Sequence, residues 1–331
     1  MNRSRTPSAD ELSGVLEHSW HRFSDLYEPL RPDLYRYCRY LTRSPWDAED
    51  LVQDTFARAF VTLAHLGAPP PNPRAWLLRV ASNLWIDQTR RQRPMPPLES
   101  GEPARDSRDS REAAGTLLVR LSPQERAAVV LKEVFDLTLE EVAEALATTP
   151  GAVKAALSRG RGKLTEDEPV ESRRVVPAVL NAFCDAFNAR DVDRLTALLL
   201  DGAAVEVVGV HSEYGPEAAR RGVLHGMLYG SERMARASEE GGMDPRFIQG
   251  VLPDPPRLEL RVHRGEPLLL SWYAHEDGEA VRAITRVELE AGRVARLRNY
   301  FFTPEFLRDL CGELEVPCKV NGTVGCRDEE G

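Results

Sequence analysis

The sequence predicts a multidomain chain: two all-α modules, the second a helix-turn-helix, followed by an α+β domain. Three observations carry this. Apolar residues recur at helical spacing from Trp20 to Arg93 and again over 112–164. Stretches rich in proline, serine and charge separate the blocks, RPMPPLESGEPARDSRDSR from Arg93 to Arg111 and TEDEPVESRR over 165–174. From Val175 the period changes. Two short helices give way to the alternating, β-branched runs AAVEVVGV, RLELRVH, PLLLSWYAH, AVRAITRVELE and RVARLRNYFF, with a closing helix after Pro304. The expected organisation is a tail at 1–19, modules at 20–93 and 116–164, linkers at 94–115 and 165–174, the α+β domain at 175–316 and a tail at 317–331.

Composition excludes several classes. At 42% hydrophobic and 29% charged residues the chain is of ordinary globular composition. No apolar run approaches the ~18 residues of a membrane span. The basic start, Met1-Asn2-Arg3-Ser4-Arg5, has no apolar core after it and is not a secretory signal, so a cytoplasmic protein is expected. Cys38, Cys184, Cys311, Cys318 and Cys326 include no Cys-x-x-Cys pair and read as ordinary thiols, with no metal and no cofactor implied. A net charge of −9 argues, taken whole, against a nucleic-acid binder. The average hides segregation, because the acids and bases are sorted into short windows.

In the first module, Ser44-Pro45-Trp46-Asp47 is a cap, a first-turn proline and an acid at the capping-box position. Ala48, Leu51, Val52, Thr55, Phe56, Ala59 and Phe60 then form a core stripe, which leaves Glu49, Asp50, Gln53 and Asp54 on an outward acidic face. A second helix starts at Asn72-Pro73. Trp76, Leu77, Val80 and Leu84 are its expected buried stripe, and Arg79, Asn83, Asp87 and Arg90 its outward side. Five arginines and one acid lie between Arg74 and Arg93, interleaved with Trp76 and Trp85. That pattern suits single-stranded DNA, whose bases stack and whose phosphates need countercharge.

The second module reads as a helix-turn-helix. Ser122 with Glu125, and Thr138 with Glu141, are capping boxes, and Asp136-Leu137 breaks the chain between them. A short turn, Ala147-Thr148, leads to the cap and proline Thr149-Pro150. From Thr148 to Leu164 there are four basic residues and no acid. In such a motif the second helix enters the major groove. Thr148, Thr149 and Lys154 are placed for base edges and Arg159 and Arg161 for phosphates.

In this order and spacing, DAEDLVQDTFARAF (Asp47–Phe60), PRAWLLRVASNLWIDQTRRQR (Pro73–Arg93) and the segment Leu121–Leu164 resemble the bacterial RNA polymerase sigma factors of the extracytoplasmic-function group. The resemblance covers about residues 20–164. It implies that Glu49, Asp50, Gln53 and Asp54 dock on core RNA polymerase, whose clamp helices and flap are the expected contacts. It implies that Arg79, Asn83, Trp85, Asp87, Arg90, Arg91 and Arg93 melt and read the −10 element. Thr148, Thr149, Lys154, Ser158, Arg159 and Arg161 would read the −35 element, making promoter DNA the second partner.

The remaining half, through VLNAFCDAFNARDVDRLTALLLDGAAVEVVG (Val179–Gly209) and RVARLRNYFF (Arg293–Phe302), resembles a SnoaL-like domain of the nuclear-transport-factor-like cone fold. This implies a cone-shaped α+β regulatory domain, open to an unidentified small ligand or regulator. The WLPDP and DGGGK motifs of some sigma factors with this extension are replaced here by TEDEPVESRR and HSEYGP. His211, His225, His263 and His275, with Asp201 and Glu206, are tied together by no motif, so no catalytic residue is assigned. Two other readings fit parts of the pattern: a one-component helix-turn-helix regulator with a ligand-binding half, and a SnoaL-like enzyme fused to a sigma module.

Overall fold

The helices of the first unit begin where a capping side chain meets a proline. In the computed structural model, which describes residues 23, 25–66, 70–92, 121–161, 177–229 and 256–321, α1 spans Arg31–Thr42 and ends on left-handed Arg43. α2 spans Pro45–Leu66, its start fixed by Ser44 Oγ accepting from the Asp47 amide at 3.2 Å. α3 spans Pro73–Gln92, with Asn72 Oδ1 accepting from the Ala75 amide at 3.1 Å. Tyr27, Leu34, Tyr37, Leu41, Leu51, Val52, Leu77 and Leu78 form the core between these helices. Tyr37 and Ser82 share a buried hydrogen bond of 2.7 Å within it.

In the second helical module α4 spans Pro123–Val129 and runs on through a wider turn, Val130–Val134. α5 spans Leu139–Ala145 and α6 Pro150–Arg161. Both expected capping boxes form, at Ser122/Glu125 and Thr138/Glu141. Positive φ angles at Asp136 (51°) and Ala147 (49°) make the breaks between the helices. The two modules touch within this unit. Arg126 Nη1 donates to the Leu41 carbonyl at 2.6 Å, and its guanidinium lies over Trp85 at 5.3 Å. Burial pulls Arg126 down to about 10. Phe135 meets Tyr37 edge-on at 5.6 Å and takes Arg36 and Arg74 over its ring at 4.6 and 5.5 Å.

The chain divides into two compact units, one within residues 1–170 and the other within 171–324. The second opens with α7 (Ala178–Asn188) and α8 (Val192–Ala197). The strands are β1 (Leu199–Val207), β2 (His211–Tyr214), β3 (Arg257–His263), β4 (Glu266–His275), β5 (Gly278–Glu290) and β6 (Arg293–Tyr300). They form one sheet in the order β2-β1-β6-β5-β4-β3. β1 and β6 are parallel, and the other pairs antiparallel. α9 (Pro216–Arg221) and the helical residues 223–229 follow β2. Phe183, Phe187, Leu195 and Leu224 from the helices pack with Leu258, Leu269 and Leu297 from the sheet. α10 (Pro304–Leu314) buries Phe306, Leu307 and Leu310, and Phe306 stacks on Tyr300 at 4.4 Å.

All five alternating runs contain strands, although AAVEVVGV runs three residues past the end of β1, which starts earlier at Leu199, and RVARLRNYFF two residues past the end of β6. The short polar strand β2 was not among them: HSEY has no apolar alternation, and its pairing with β1 defines it. The expected tail also begins too early. Pro317–Lys319 pairs alongside β5, with the Val281 amide donating to the Pro317 carbonyl at 2.9 Å and the Lys319 amide to the Val281 carbonyl at 3.0 Å, and Asn321 is buried. The expected tail at 1–19 and the linkers at 94–115 and 165–174 lie outside the described residues, as do Arg93 and Cys326.

Candidate nucleic-acid interface

The acidic face of α2 divides in two. Asp54 is exposed, and Asp50 and Gln53 are half-buried. Glu49, expected to face outward with them, is instead fully buried. It pairs with Arg31 at 2.5 Å and accepts from Gln53 Nε2 at 2.6 Å. Burial raises the Glu49 carboxyl above its ordinary value, with Arg31 opposing. Glu49 is therefore not on the outward face of α2. Helical spacing placed it one step from the core stripe, and nothing in the sequence around Arg31-Pro32 marks that arginine as its partner.

On α3 the outward side is Asn83, Asp87, Arg90 and Arg91, all exposed. The buried stripe runs through Leu77, Leu78, Ala81, Ser82, Trp85 and Ile86, whereas Trp76, Val80 and Leu84 are only half-buried. Trp85 is thus buried, at 6% exposure, in the core between the helices. Arg79, half-buried, donates from Nη2 to Glu144 Oε1 of α5 at 3.2 Å. The residue expected at DNA is paired with the helix-turn-helix module.

α6 matches its expected face. Val153, Ala156 and Leu157 are buried, and Thr148, Thr149, Lys154, Ser158 and Arg159 are exposed. Thr149 Oγ1 caps the helix, accepting from the Ala152 amide at 3.2 Å. Arg159 Nε donates to Glu125 Oε1 at 2.9 Å, so it also fastens α6 to the capping box of α4. Arg161 ends the helix, and its side chain lies outside the described residues. The capping box was the signal for Glu125. No comparable signal marked Glu144 or Arg126.

In the second unit the four expected histidines are dispersed. His211 meets Glu213 at 3.2 Å, His263 meets Glu313 at 2.8 Å, His225 lies in the helical stretch 223–229, and His275 ends β4.

Models of two families match the chain: sigma-70 region 2 over residues 26–94 and sigma-70 region 4 over residues 111–164. The curated ECF RNA polymerase sigma factor SigJ of Mycobacterium tuberculosis is 32% identical over 243 residues, 68% of this chain and 72% of that protein. The chain belongs to the ECF sigma factors. A second ECF sigma factor, SigG of the same species, is 32% identical over 247 residues, 62% of this chain and 64% of that protein. The match thus spans a little under two thirds of SigG. The crystal structure of M. tuberculosis SigJ aligns with 85% of this chain and 97% of that one, at 25% identity and a TM-score of 0.31. In this ECF sigma factor, α2 and α3 lie in the region 2 match and α4–α6 in the region 4 match. No helix among the described residues is long and apolar enough to cross a membrane.

Proposed function

We propose that this chain is an alternative sigma factor that binds core RNA polymerase and directs promoter-specific initiation in the cytoplasm. The observation that carries the reading is the order of region 2 and region 4 on one chain, together with the identity to SigJ. Asp50, Gln53 and Asp54 are the docking residues for the clamp helices. Asn83, Asp87, Arg90 and Arg91, joined by Arg79 once it leaves Glu144, engage the −10 element, with Arg93 continuing that run. Thr148, Thr149, Lys154 and Ser158 read the −35 element, with Arg159 and Arg161 on its phosphates. Extruding a base costs a few kcal/mol, and a protein that captures it returns a comparable amount. A pocket beside α3 that captures the extruded base holds the bubble open without ATP.

The α+β domain regulates these modules in cis. Residues after 170 carry 20 basic and 27 acidic side chains, and a tether to the basic α6 raises their effective concentration to the millimolar range. A ligand or partner that prefers the released form shifts the balance by its differential affinity.

The test is transcription in vitro with purified core polymerase. The full chain is expected to yield promoter-specific transcript, and the double variant Asp50→Arg/Asp54→Arg to lose core binding while keeping its fold. Undiminished core binding by that variant overturns the docking face. Chains ended after Lys163 or near Arg174 are expected to differ in activity from the full chain, and equal activity of all three overturns regulation in cis.

A further inference from the structure

Among the described residues of the second unit, one buried cation stands without an anion. In the β4–β5 ladder Ser271 pairs with Ala283 and Trp272 with Val281, so Arg282 is the extra residue of a β-bulge. Bulges re-aim side chains and gather beside functional sites. Here the bulge turns Arg282 into the domain, where it is 7% exposed. Its guanidinium lies 5.8 Å from the Tyr273 ring and 6.0 Å from the Phe301 ring. Nη2 donates to Asn321 Oδ1, and Nε is buried with no partner. Among the described residues no carboxylate pairs with it, and burial pulls its pKa down.

The surroundings add positive rather than negative charge. Arg190 and Arg282 both act on the buried Tyr273 hydroxyl. His275 at the end of β4 feels Arg282 and Lys319, and its Nε2 is buried without a partner. The acid at this end, Asp277, is exposed and taken by Lys319 at 2.5 Å. A buried charge is expensive unless it is neutralised. The Asn321 contact does not explain the charge, since that amide's Nδ2 is already anchored on the Arg282 and Phe301 carbonyls at 3.1 and 2.9 Å and its oxygen would accept equally from a neutral donor. Tyr273, Ala283 and Phe301, with Phe302 packed against them, leave the rest of the neighbourhood apolar.

We propose that Arg282, with Tyr273 and the field of Arg190, forms a binding site for a small organic carboxylate with an apolar body. The carboxylate takes the open Nε donor of Arg282 and supplies the missing charge, and the apolar part lies against Phe301. The site stands apart from the regulatory role proposed above, because its test reads binding and not transcription.

The experiment is equilibrium dialysis of the full chain with labelled benzoate, with benzamide and inorganic phosphate as competitors. Benzoate is expected to bind, and neither benzamide nor phosphate to displace it. Arg282→Gln keeps a donor for Asn321 and is expected to weaken benzoate binding about tenfold or more, the loss of one charge-assisted hydrogen bond. Arg282→Lys, which keeps the charge, is expected to retain more of it. No benzoate binding by the wild-type chain overturns the proposal, as does equal binding by a folded Arg282→Gln variant. Displacement by phosphate overturns the carboxylate assignment. Should neither variant fold, the benzoate, benzamide and phosphate measurements on the wild-type chain still decide.

Discussion

α3 and α6 are both basic helices assigned to DNA, yet they are held in opposite ways. α6 is short and buries a single stripe, Val153, Ala156 and Leu157, so every assigned side chain that is described points out. α3 is longer and is enclosed on several sides. α1 and α2 pack along it, while Arg126 of α4 covers Trp85 and Glu144 of α5 takes Arg79. A helix that packs along one side shows its face in its periodicity, whereas a helix covered from several sides spreads its apolar residues around the axis. For α3, tertiary packing decides that Trp85 is buried while Trp76 is half-buried, and that Arg79 is half-buried while Arg90 and Arg91 are exposed.

The largest effects that sharpen this contrast come from groups the outward reading misplaced. Glu49→Ala removes the buried carboxylate that meets Arg31 at 2.5 Å and is expected to destabilise the chain by about 3–5 kcal/mol. Trp85→Ala is expected to cost a similar ~3–5 kcal/mol through the cavity it opens. Asp54→Ala and Asn83→Ala, on exposed positions, should stay within about 0.5 kcal/mol of wild type. Urea unfolding of the full chain checks all four, and a cost near zero for Trp85→Ala would return that residue to the DNA face. Glu49 also carries a pH signature. Its carboxyl is raised above 4.5, so just above that pH the folded chain holds a proton that the unfolded chain has released. Stability due to this residue therefore falls as pH rises through that window, and Glu49→Gln should flatten the slope.

The legible parts were those set by local chemistry. Caps and prolines located the starts of α2, α3, α4 and α6, and β-branched alternation located β3 to β6 within a residue or two. The strand β2 was not legible, because HSEY gains its place from backbone pairing with β1. Asn321 was not legible either. Its burial depends on a chain that returns beside β5 after α10, a long-range contact with no sequence period. The same holds for Arg31 with Glu49 and Arg282 with Asn321, pairs separated by 18 and 39 residues. Of the expected site residues, Glu49, Arg79 and Trp85 are the charged or aromatic side chains that a distant helix buries or pairs.

At intermediate size, α6 offers a test of its own assignment. Lys154→Ala is expected to cost about 1–3 kcal/mol of discrimination at one position of the −35 element, while Arg161→Ala weakens binding evenly across sequences and lowers the salt slope by about one. Competition binding of polymerase holoenzyme against substituted −35 elements separates the two. An unchanged −35 preference in Lys154→Ala moves base reading away from this turn of the helix.

The smallest effect concerns one of the bonds between the two helical modules. Arg79 and Glu144 are 35% and 70% exposed, and an ion pair so open to water contributes about 0–1 kcal/mol. Glu144→Gln removes the carboxylate without touching α3 or α6, so Arg79 no longer has to leave a partner before meeting DNA. The expected gain in affinity of the holoenzyme for promoter DNA is up to about fivefold, the whole value of such a pair. It should shrink as salt rises, because screening weakens the competing bond in the wild type as well. Arg79→Ala should lose affinity, and adding Glu144→Gln to it should change nothing further, since the carboxylate then has no arginine to withhold. A gain from Glu144→Gln that persists in the Arg79→Ala background would show that Glu144 acts by repelling DNA directly and not by holding Arg79.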